Sequence, residues 1–346
     1  MVSLESNLNY KVDKAFMLEA ISLASKANSD VYPNPKVGCV IVKDDKIISR
    51  GYHHKYGSNH AEKNAIKSLG KDNNNLTMYV TLEPCHHHGK TSPCTGLINS
   101  DQFNRVVIAE KDPSDLAGGG ANFLKNNNID VDIGICKEEA RYLNKYFYTF
   151  HEKKRPYIIL KYASSLDGYI ALENGKSKWI TNSLSRSLNH KQRSDCDAIL
   201  VGRKTIQLDN PVLDSHGKGR NPKIIVIDPD NKIDKKSKIF LGNQSPIIFR
   251  KKYLTDSQQE NIRIILKELF ELNIQSLLVE GGGSTITSFL ESGLFDEVHV
   301  YLAPKFFGKG IPLYKGEGSI ENIYDLKINH IKSLGDDVKI VYKRNK

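Results

Sequence analysis

His60, Cys85 and Cys94 are residues of the kind that bind zinc, and Glu62 lies two positions past the first of them. One imidazole and two thiolates hold a zinc ion with one tetrahedral position left open, and an open position is what a catalytic ion needs. Such an ion lowers the pKa of a bound water to about 7, so hydroxide is available at neutral pH. A carboxylate beside that water can take its proton and deliver it to a leaving amine. Glu62 is the residue placed for that role.

Three local features position this set. His60-Ala61-Glu62 opens an apolar helical run of Ala61, Ala65, Ile66 and Leu69. Pro84-Cys85 follows a strand over residues 77–82. Cys94 follows Pro93 and precedes Gly96-Leu97-Ile98, which reads as a helix start. A helix N-terminus favours thiolate over thiol. His-x-Glu followed by Pro-Cys and a second Cys is the pattern of zinc-dependent deamination, with the Glu as proton shuttle rather than ligand. The gap between the cysteines is longer here. A purely structural ion would need a fourth protein ligand, which His86, His87 or His88 could supply.

Stepping along the chain, residues 13–27 carry apolar Phe16, Met17, Ala20, Ile21 and Ala24 at helical spacing. Tyr32-Pro33-Asn34-Pro35 is a turn. Strands are expected over 37–42, 47–48, 105–109 and 131–135, and helices over 121–127 and 137–152, the last with an aromatic face of Tyr142, Tyr146, Phe147 and Phe150. Alternating strands and helices predict an α/β unit with helices on both sides of a sheet. The charged run Lys153-Lys154-Arg155 and Pro156 mark a boundary, giving units 1–153 and 154–346. In the second, strands are expected over 157–163, 198–202, 224–228, 276–280, 297–302 and 338–342, and helices over 258–272 and 285–292, a second α/β unit.

The chemistry of that second unit is weaker in the sequence. Gly281-Gly282-Gly283-Ser284 follows an apolar strand and opens a helix, so it is either a phosphate-binding helix start or an ordinary turn. It is not a G-x-G-x-x-G fingerprint. Ser164-Ser165-Leu166-Asp167-Gly168 can be a plain turn, and Trp179, the single tryptophan, can be a core residue. Lys161 lies in an apolar strand and either snorkels to solvent or faces a site.

The 346 residues suffice for two domains, and 39% apolar with 26% charged residues suits a soluble protein. No apolar run approaches the length of a membrane span, and residues 1–14 carry charges and no apolar core of a signal peptide. Cys39, Cys136 and Cys196 are spaced too irregularly for a disulfide framework and read as reduced core residues of a cytoplasmic protein. The net charge of +10 comes from scattered Lys and Arg. It reads as a solvated basic surface rather than a nucleic-acid footprint, and it suits a phosphate-bearing small substrate.

The chain resembles the bifunctional deaminase/reductase family of riboflavin biosynthesis over almost its whole length. In the first unit the resemblance rests on Pro33-Asn34-Pro35-x-Val37-Gly38, Gly51-Tyr52-His53, His60-Ala61-Glu62 and the string Thr81-Leu82-Glu83-Pro84-Cys85-x-His87-x-Gly89-Lys90-Thr91-x-Pro93-Cys94. In the second it rests on Ser165-Leu166-Asp167-Gly168, Ser177-x-Trp179-Ile180-Thr181, Asp209-x-Pro211, Val279-Glu280-Gly281-Gly282 and Ala303-Pro304-Lys305.

The resemblance implies a cytidine-deaminase-like α/β/α domain followed by a dihydrofolate-reductase-like α/β domain, which accounts for the missing fingerprint. It implies zinc-dependent hydrolytic deamination of 2,5-diamino-6-(5-phosphoribosylamino)pyrimidin-4-one, then NADPH-dependent reduction of the ribosyl group to ribityl. It puts Zn2+ on His60, Cys85 and Cys94, proton transfer on Glu62, and the pyrimidine against Asn34 and His53. NADPH would meet Ala163, Trp179, Thr205, Asp209, Gly282, Gly283, Ser284, Thr285, Ile286, Thr287 and Ser288. The substrate of the reduction would meet Lys161, Ser177, Arg193, Leu213, His216 and Glu280. A homo-oligomer is expected, with neither nucleic acid nor membrane as partner. Three positions depart from the family pattern: Ser92 replaces a Pro, Ser164 a Met, and His216 an Arg, the nearest Arg being Arg220.

Overall fold

Strand residues in the first half of the chain alternate between two apolar faces, and each face is covered by helices. The computed structural model describes residues 4–70, 73–87, 92–114, 118–177, 180–242, 244–314 and 325–344. The chain divides into the units Met1–Lys153 and Lys154–Lys346. Among the described residues the first contains α1 (Leu4–Ser25), β1 (Gly38–Lys43), β2 (Lys46–Tyr52), α2 (Ala61–Lys67), β3 (Leu76–Val80), β4 (Phe103–Ile108), α3 (Gly120–Asn126), β5 (Asp130–Ile133), α4 (Lys137–Leu143) and α5 (Lys145–Lys153).

The strand order is β2-β1-β3-β4-β5. β1 runs antiparallel to β2 and β3, while β3, β4 and β5 are parallel. Cys39, Ile41, Met78, Val80, Val106 and Ile108 pack with Ala61 and Ala65 of α2 and Ala121 and Leu124 of α3. Val40, Val42, Tyr79 and Val107 pack on the other side with Met17 and Ala20 of α1 and Ala140 of α4. This is the period-two alternation of a strand buried on both faces.

β2 seats α2 closely. A Cβ at Gly51 would lie 2.3 Å from the Ala61 carbonyl oxygen, so only glycine admits the helix here. Ser49 donates to the Ala65 carbonyl at 2.6 Å, and Asn64 donates to the Tyr52 carbonyl at 2.8 Å.

The helix expected over 137–152 is broken into α4 and α5 at Asn144. The Asn144 amide accepts from the Lys36 N–H and donates to the Lys36 carbonyl, both at 2.8 Å. It thereby ties this region to the Asn34 turn. The break also splits the expected aromatic face: Phe147 and Phe150 are buried, whereas Tyr142 is exposed.

The second unit contains β6 (Tyr157–Ser164), β7 (Tyr169–Leu172), α6 (Ser183–Asp195), β8 (Ala198–Gly202), α7 (Arg203–Asp209), β9 (Lys223–Ile227), β10 (Ile247–Phe249), α8 (Gln258–Glu271), β11 (Ser276–Glu280), α9 (Gly283–Ser292), β12 (Glu297–Leu302), β13 (Gly310–Pro312), β14 (Leu326–Leu334) and β15 (Asp337–Arg344). Its main sheet runs β10-β9-β8-β11-β6-β12-β15-β14, and β7 pairs separately with β13. From β10 to β12 the neighbours are parallel; β15 is antiparallel to both β12 and β14.

One sheet face is apolar. Ile158, Leu160, Leu277, Val279, Val298 and Val300 bury against Ile262, Ile265, Leu266 and Leu269 of α8 and Ile286 and Phe289 of α9. On the alternate positions stand Lys161, Glu280, Glu297, His299, Tyr301 and Lys339, a polar set that meets α6. Elements α6, α7, β7, β10, β13 and β14 lie outside those expected from the sequence. Ser183–Asp195 carries no apolar stripe, because its inward side chains include Asn189, Gln192 and Arg193.

Candidate active sites

His60 is the N-cap of α2, with extended backbone (φ −69°, ψ 166°), so its ring stands clear of the first turn while Glu62 lies in that turn. Cys85 Sγ lies 3.5 Å and Cys94 Sγ 3.3 Å from the same His60 Nδ1. The three donor atoms are all within 4.8 Å of one another, and no fourth His, Cys, Asp or Glu joins them among the described residues. Ligand bonds of about 2.0–2.3 Å to one tetrahedral zinc can span such a set with a position left open. His86, one candidate for a fourth ligand, instead pairs with Thr95 Oγ1 at 3.1 Å and packs on Phe123.

Cys94 begins a four-residue 3-10 turn, Cys94–Leu97, rather than the expected α-helix. Pro93 caps its start, and Ile98 in extended conformation ends it. The Cys94 N–H still donates to Cys85 Sγ at 3.4 Å, so a backbone amide does support a thiolate. The side-chain contact with Cys94 lowers the Cys85 pKa, His60 adds to the shift, and Cys94 itself is raised by the same contact.

Two further residues build this corner. Glu83 is buried and accepts from the Ala121 N–H at 2.8 Å and the Asp112 N–H at 3.1 Å. It pins the segment before Cys85 to the start of α3, where Gly120 sits so close that a Cβ would be 1.9 Å from the Pro84 carbonyl oxygen. Glu83 lies inside the motif string, and this positioning role was not expected from the sequence.

Burial lifts the Glu62 carboxyl from its ordinary value to about 7. His53 is buried, its Nδ1 donating to the Asn59 carbonyl at 2.9 Å and its Nε2 accepting from the Asn34 amide at 3.2 Å. Burial lowers its pKa, so the ring is neutral. The His53 and His60 rings are 5.5 Å apart. Asn34, His53, His60, Glu62, Cys85 and Cys94 therefore gather in one place. Gly89, Lys90 and Thr91 of the motif, and His88, lie outside the described residues.

In the second unit Arg193 grips Glu280 with both nitrogens, Nε to Oε1 at 3.0 Å and Nη2 to Oε2 at 2.9 Å. Asn189 donates to Glu280 at 3.1 Å, and Lys161 Nζ lies 3.8 Å away from its neighbouring register position. Burial alone would raise the Glu280 carboxyl, yet Arg193 and Lys161 hold it at about 2. Burial lowers Lys161, against the pull of Glu280. Lys161 thus points to buried Glu280 rather than snorkelling to solvent.

Ser177 is near Asp209, donating at 3.3 Å. Thr285 at the start of α9 packs against Gly202, where a Cβ would come within 2.6 Å of its hydroxyl. Ile286 and Leu213 have side chains buried in apolar clusters, which leaves backbone groups for any contact they make. Ser288 is half-buried and donates to Gln258 Oε1 at 2.8 Å. Trp179 lies outside the described residues. Arg220 does not stand in for the Arg absent at His216: it is paired with buried Asp197. His190, which the sequence analysis passed over, stacks on His216.

Residues 10–110 match the family described as cytidine and deoxycytidylate deaminase zinc-binding region, and residues 156–340 match the RibD C-terminal domain. The riboflavin biosynthesis protein RibD of Aquifex aeolicus is 40% identical over 352 residues, which cover 96% of this chain and 99% of that protein. This chain belongs to the RibD family. Among solved RibD-type structures, the diaminohydroxyphosphoribosylaminopyrimidine deaminase/5-amino-6-(5-phosphoribosylamino)uracil reductase of Thermotoga maritima is 36% identical, with a TM-score of 0.88 over 97% of this chain and 100% of its own. Acinetobacter baumannii RibD is 32% identical, with a TM-score of 0.89 over the same shares.

As a RibD protein the chain is a bifunctional enzyme of riboflavin biosynthesis, a zinc-dependent deaminase and an NADPH-dependent reductase. Its folds are those of the cytidine-deaminase-like and dihydrofolate-reductase-like domains. Among its described residues no helix is long and apolar enough to cross a membrane.

Proposed function

We propose that residues 1–153 carry the deaminase and residues 154–346 the reductase, and that the deaminase acts on 2,5-diamino-6-(5-phosphoribosylamino)pyrimidin-4-one. The observation that carries this reading is the convergence of His60, Cys85 and Cys94 on one point beside buried Glu62.

His60, Cys85 and Cys94 would hold the zinc, which would supply a Lewis acid able to bring the pKa of water near 7. Glu62 takes the proton that water gives up as it adds to the carbon bearing the 2-amino group. Glu62 passes that proton to the adjoining ring nitrogen and then carries the remaining hydroxyl proton to the amino nitrogen, which leaves as ammonia while the carbon becomes a carbonyl. His53, kept neutral and fixed by Asn34 and Asn59, presents a flat polar edge to the pyrimidine. The mutual spacing of these side chains supports assigning Asn34 and His53 to pyrimidine binding.

In the second unit Lys161, Ser177, Arg193, Leu213, His216 and Glu280 hold the ribosyl substrate. Ala163, Trp179, Thr205, Asp209 and the segment from Gly282 through Gly283, Ser284, Thr285, Ile286 and Thr287 to Ser288 hold NADPH. The start of α9, where Gly282 provides no side-chain cap, supports the cofactor assignment. Exposed Ile328 and Ile331 on edge strand β14 support a homo-oligomer. The cysteines, none of them in a disulfide, support a cytoplasmic location.

Two measurements on the purified chain test the reading together: ammonia release from the pyrimidine substrate alongside zinc content, and loss of NADPH absorbance with pre-deaminated substrate. Ammonia release that persists in a zinc-free protein would overturn the deaminase half. NADPH left unconsumed would overturn the reductase half.

A further inference from the structure

We propose that His190 and His216 together form the phosphate-reading end of the substrate site in the second unit, and that the pair takes up a proton when a phosphate monoester binds. The inference rests on the reductase reading above and adds to it a residue, His190, and a pH signature.

The two imidazoles stack face to face, with ring centroids 4.0 Å apart and planes inclined by 27°. They come from different elements, His190 from α6 and His216 from the loop after α7. That loop is held firmly. Leu213 and His216 both adopt positive φ, 63° and 48°, a conformation that persists in bulky residues only where surrounding contacts impose it. The contacts are present: Ser215 Oγ is 2.8 Å from both the Gly219 carbonyl and Asn221 Oδ1, and Arg193 donates to the Asp214 carbonyl at 3.2 Å. His216 is nevertheless half exposed, so a ligand can reach the pair.

The charges around the pair leave room for an anion. Arg193, three residues from His190 on the same helix, is committed to both oxygens of Glu280. Lys161 also lies against Glu280. The groups that face His190 are His216 and Asp214 from the loop, Arg193 from α6 and Glu280 from β11. Burial first, then His216 and Arg193, push His190 down to about 4, outweighing Glu280 and Asp214. Two stacked imidazoles cannot both be cationic without a counter-charge between or beside them. Asp214 pairs directly with His216, 3.1 Å from its Nε2, and acts on His190 only from a distance.

A phosphate monoester carries about −1.5 to −2 charges at neutral pH and accepts several hydrogen bonds. Placed at the rings, it opposes the burial and the neighbouring cations that keep His190 neutral. A substrate with a phosphoribosyl group brings such a dianion, and this is the cluster beside Arg193 and Glu280 that can gain positive charge to meet it.

The sign of the pH effect follows from linkage. Binding takes up a proton, so affinity for the phosphorylated ligand rises as pH falls from about 8 toward 6.5, and the gain stops near the second phosphate pKa of about 6.

Two readouts test this. In the cofactor-free chain, imidazole C–H signals of His190 and His216 are followed by NMR across pH with inorganic phosphate, and with chloride at equal ionic strength. Phosphate should raise the titration midpoint of the pair and chloride should not; equal midpoints in the two salts would overturn the proposal.

In kinetics, KM for pre-deaminated substrate should fall with pH for the phosphorylated form and stay level for its dephosphorylated counterpart. His190→Asn and His216→Asn should each raise KM for the phosphorylated form about tenfold, more than any change in kcat, as expected for losing a charge-assisted hydrogen bond. His216→Arg should recover the affinity with a flat pH profile. An unchanged KM in both Asn variants would overturn the pair's role. If wild-type protein oxidised no NADPH with either substrate while the NMR shift was seen, the phosphate site would stand and the reductase reading would fall.

Discussion

The metal-ligand set of the first unit comes from one stretch between His60 and Cys94, whereas the charged cluster of the second draws Lys161 from β6, Arg193 from α6 and Glu280 from β11. The first set is a group of ligands for an ion, and backbone contacts shape it: Gly51 against Ala61, Gly120 against Pro84, Glu83 on two amides. The second is built of opposed full charges buried together, and it shapes itself by ion pairing. A local site fails by losing its ligand. An assembled ionic site fails by unfolding around an unmatched charge. That difference determines what substitutions should do.

The largest effect is expected at the metal. Cys85→Ser should lose zinc and ammonia release together, since an alcohol is a far poorer ligand than a thiolate. Reduction of pre-deaminated substrate should persist. Metal analysis decides the matter: full zinc occupancy in the variant would show the ligand assignment to be wrong.

Glu62→Gln keeps the size and polarity of the side chain and removes its proton chemistry. A positioned acid/base contributes about 10²–10⁴-fold, so deamination should fall by that range while zinc stays bound. Reduction should stay within about twofold of wild type, a fraction of a kcal/mol in activation free energy. Loss of both activities in folded, zinc-loaded protein would break the two-site comparison and require one shared site.

Glu280→Gln probes the ionic site. It leaves Arg193 and Lys161 buried beside a neutral amide, a change that costs about 3 kcal/mol or more when a buried pair is broken. Reduction should weaken and ammonia release should survive. The pH dependence has a defined sign. The folded-state pKa of Glu280, about 2, lies below its ordinary value of 4.5. Its contribution is therefore fully present above about pH 4.5 and is lost as pH falls toward 2. Urea unfolding should separate wild type from variant at neutral pH and bring them together in acid. A gap that stays constant down to the acid limit would mean that Glu280 is not held by its cations.

These outcomes also track what the amino-acid sequence made legible. His60, Glu62, Cys85 and Cys94 were readable because their types and spacing are rare and because a helix run and a strand flank them. The alternation of elements gave both α/β units. Helix α6 was not readable, since Asn189, Gln192 and Arg193 turn inward to polar partners and leave no apolar period for a helix pattern to show. Strand β14, exposed along nearly its whole length, lacks the buried alternation that marks a strand. His190 was missed because its stacking partner comes from a loop that only the fold brings alongside.

Asn144 gives the smallest and most specific test. It interrupts what would otherwise be one continuous helix and spends its side-chain amide on both backbone groups of Lys36. Lys36 is two residues from Asn34, whose amide meets His53. Asn144→Ala would remove two buried hydrogen bonds and free α4 and α5 to fuse, at a cost of about 1–2 kcal/mol. Zinc and Glu62 are untouched by that change, so the loss should fall on binding: KM for the pyrimidine should rise about three- to tenfold, with zinc content and reduction as in wild type. Asn144→Asp keeps the acceptor for the Lys36 N–H and loses the donor to its carbonyl, so it should fall between the two. If melting temperature dropped while KM stayed fixed in both variants, Asn144 would be a structural tie alone, and the placing of Asn34 would have to come from its own turn.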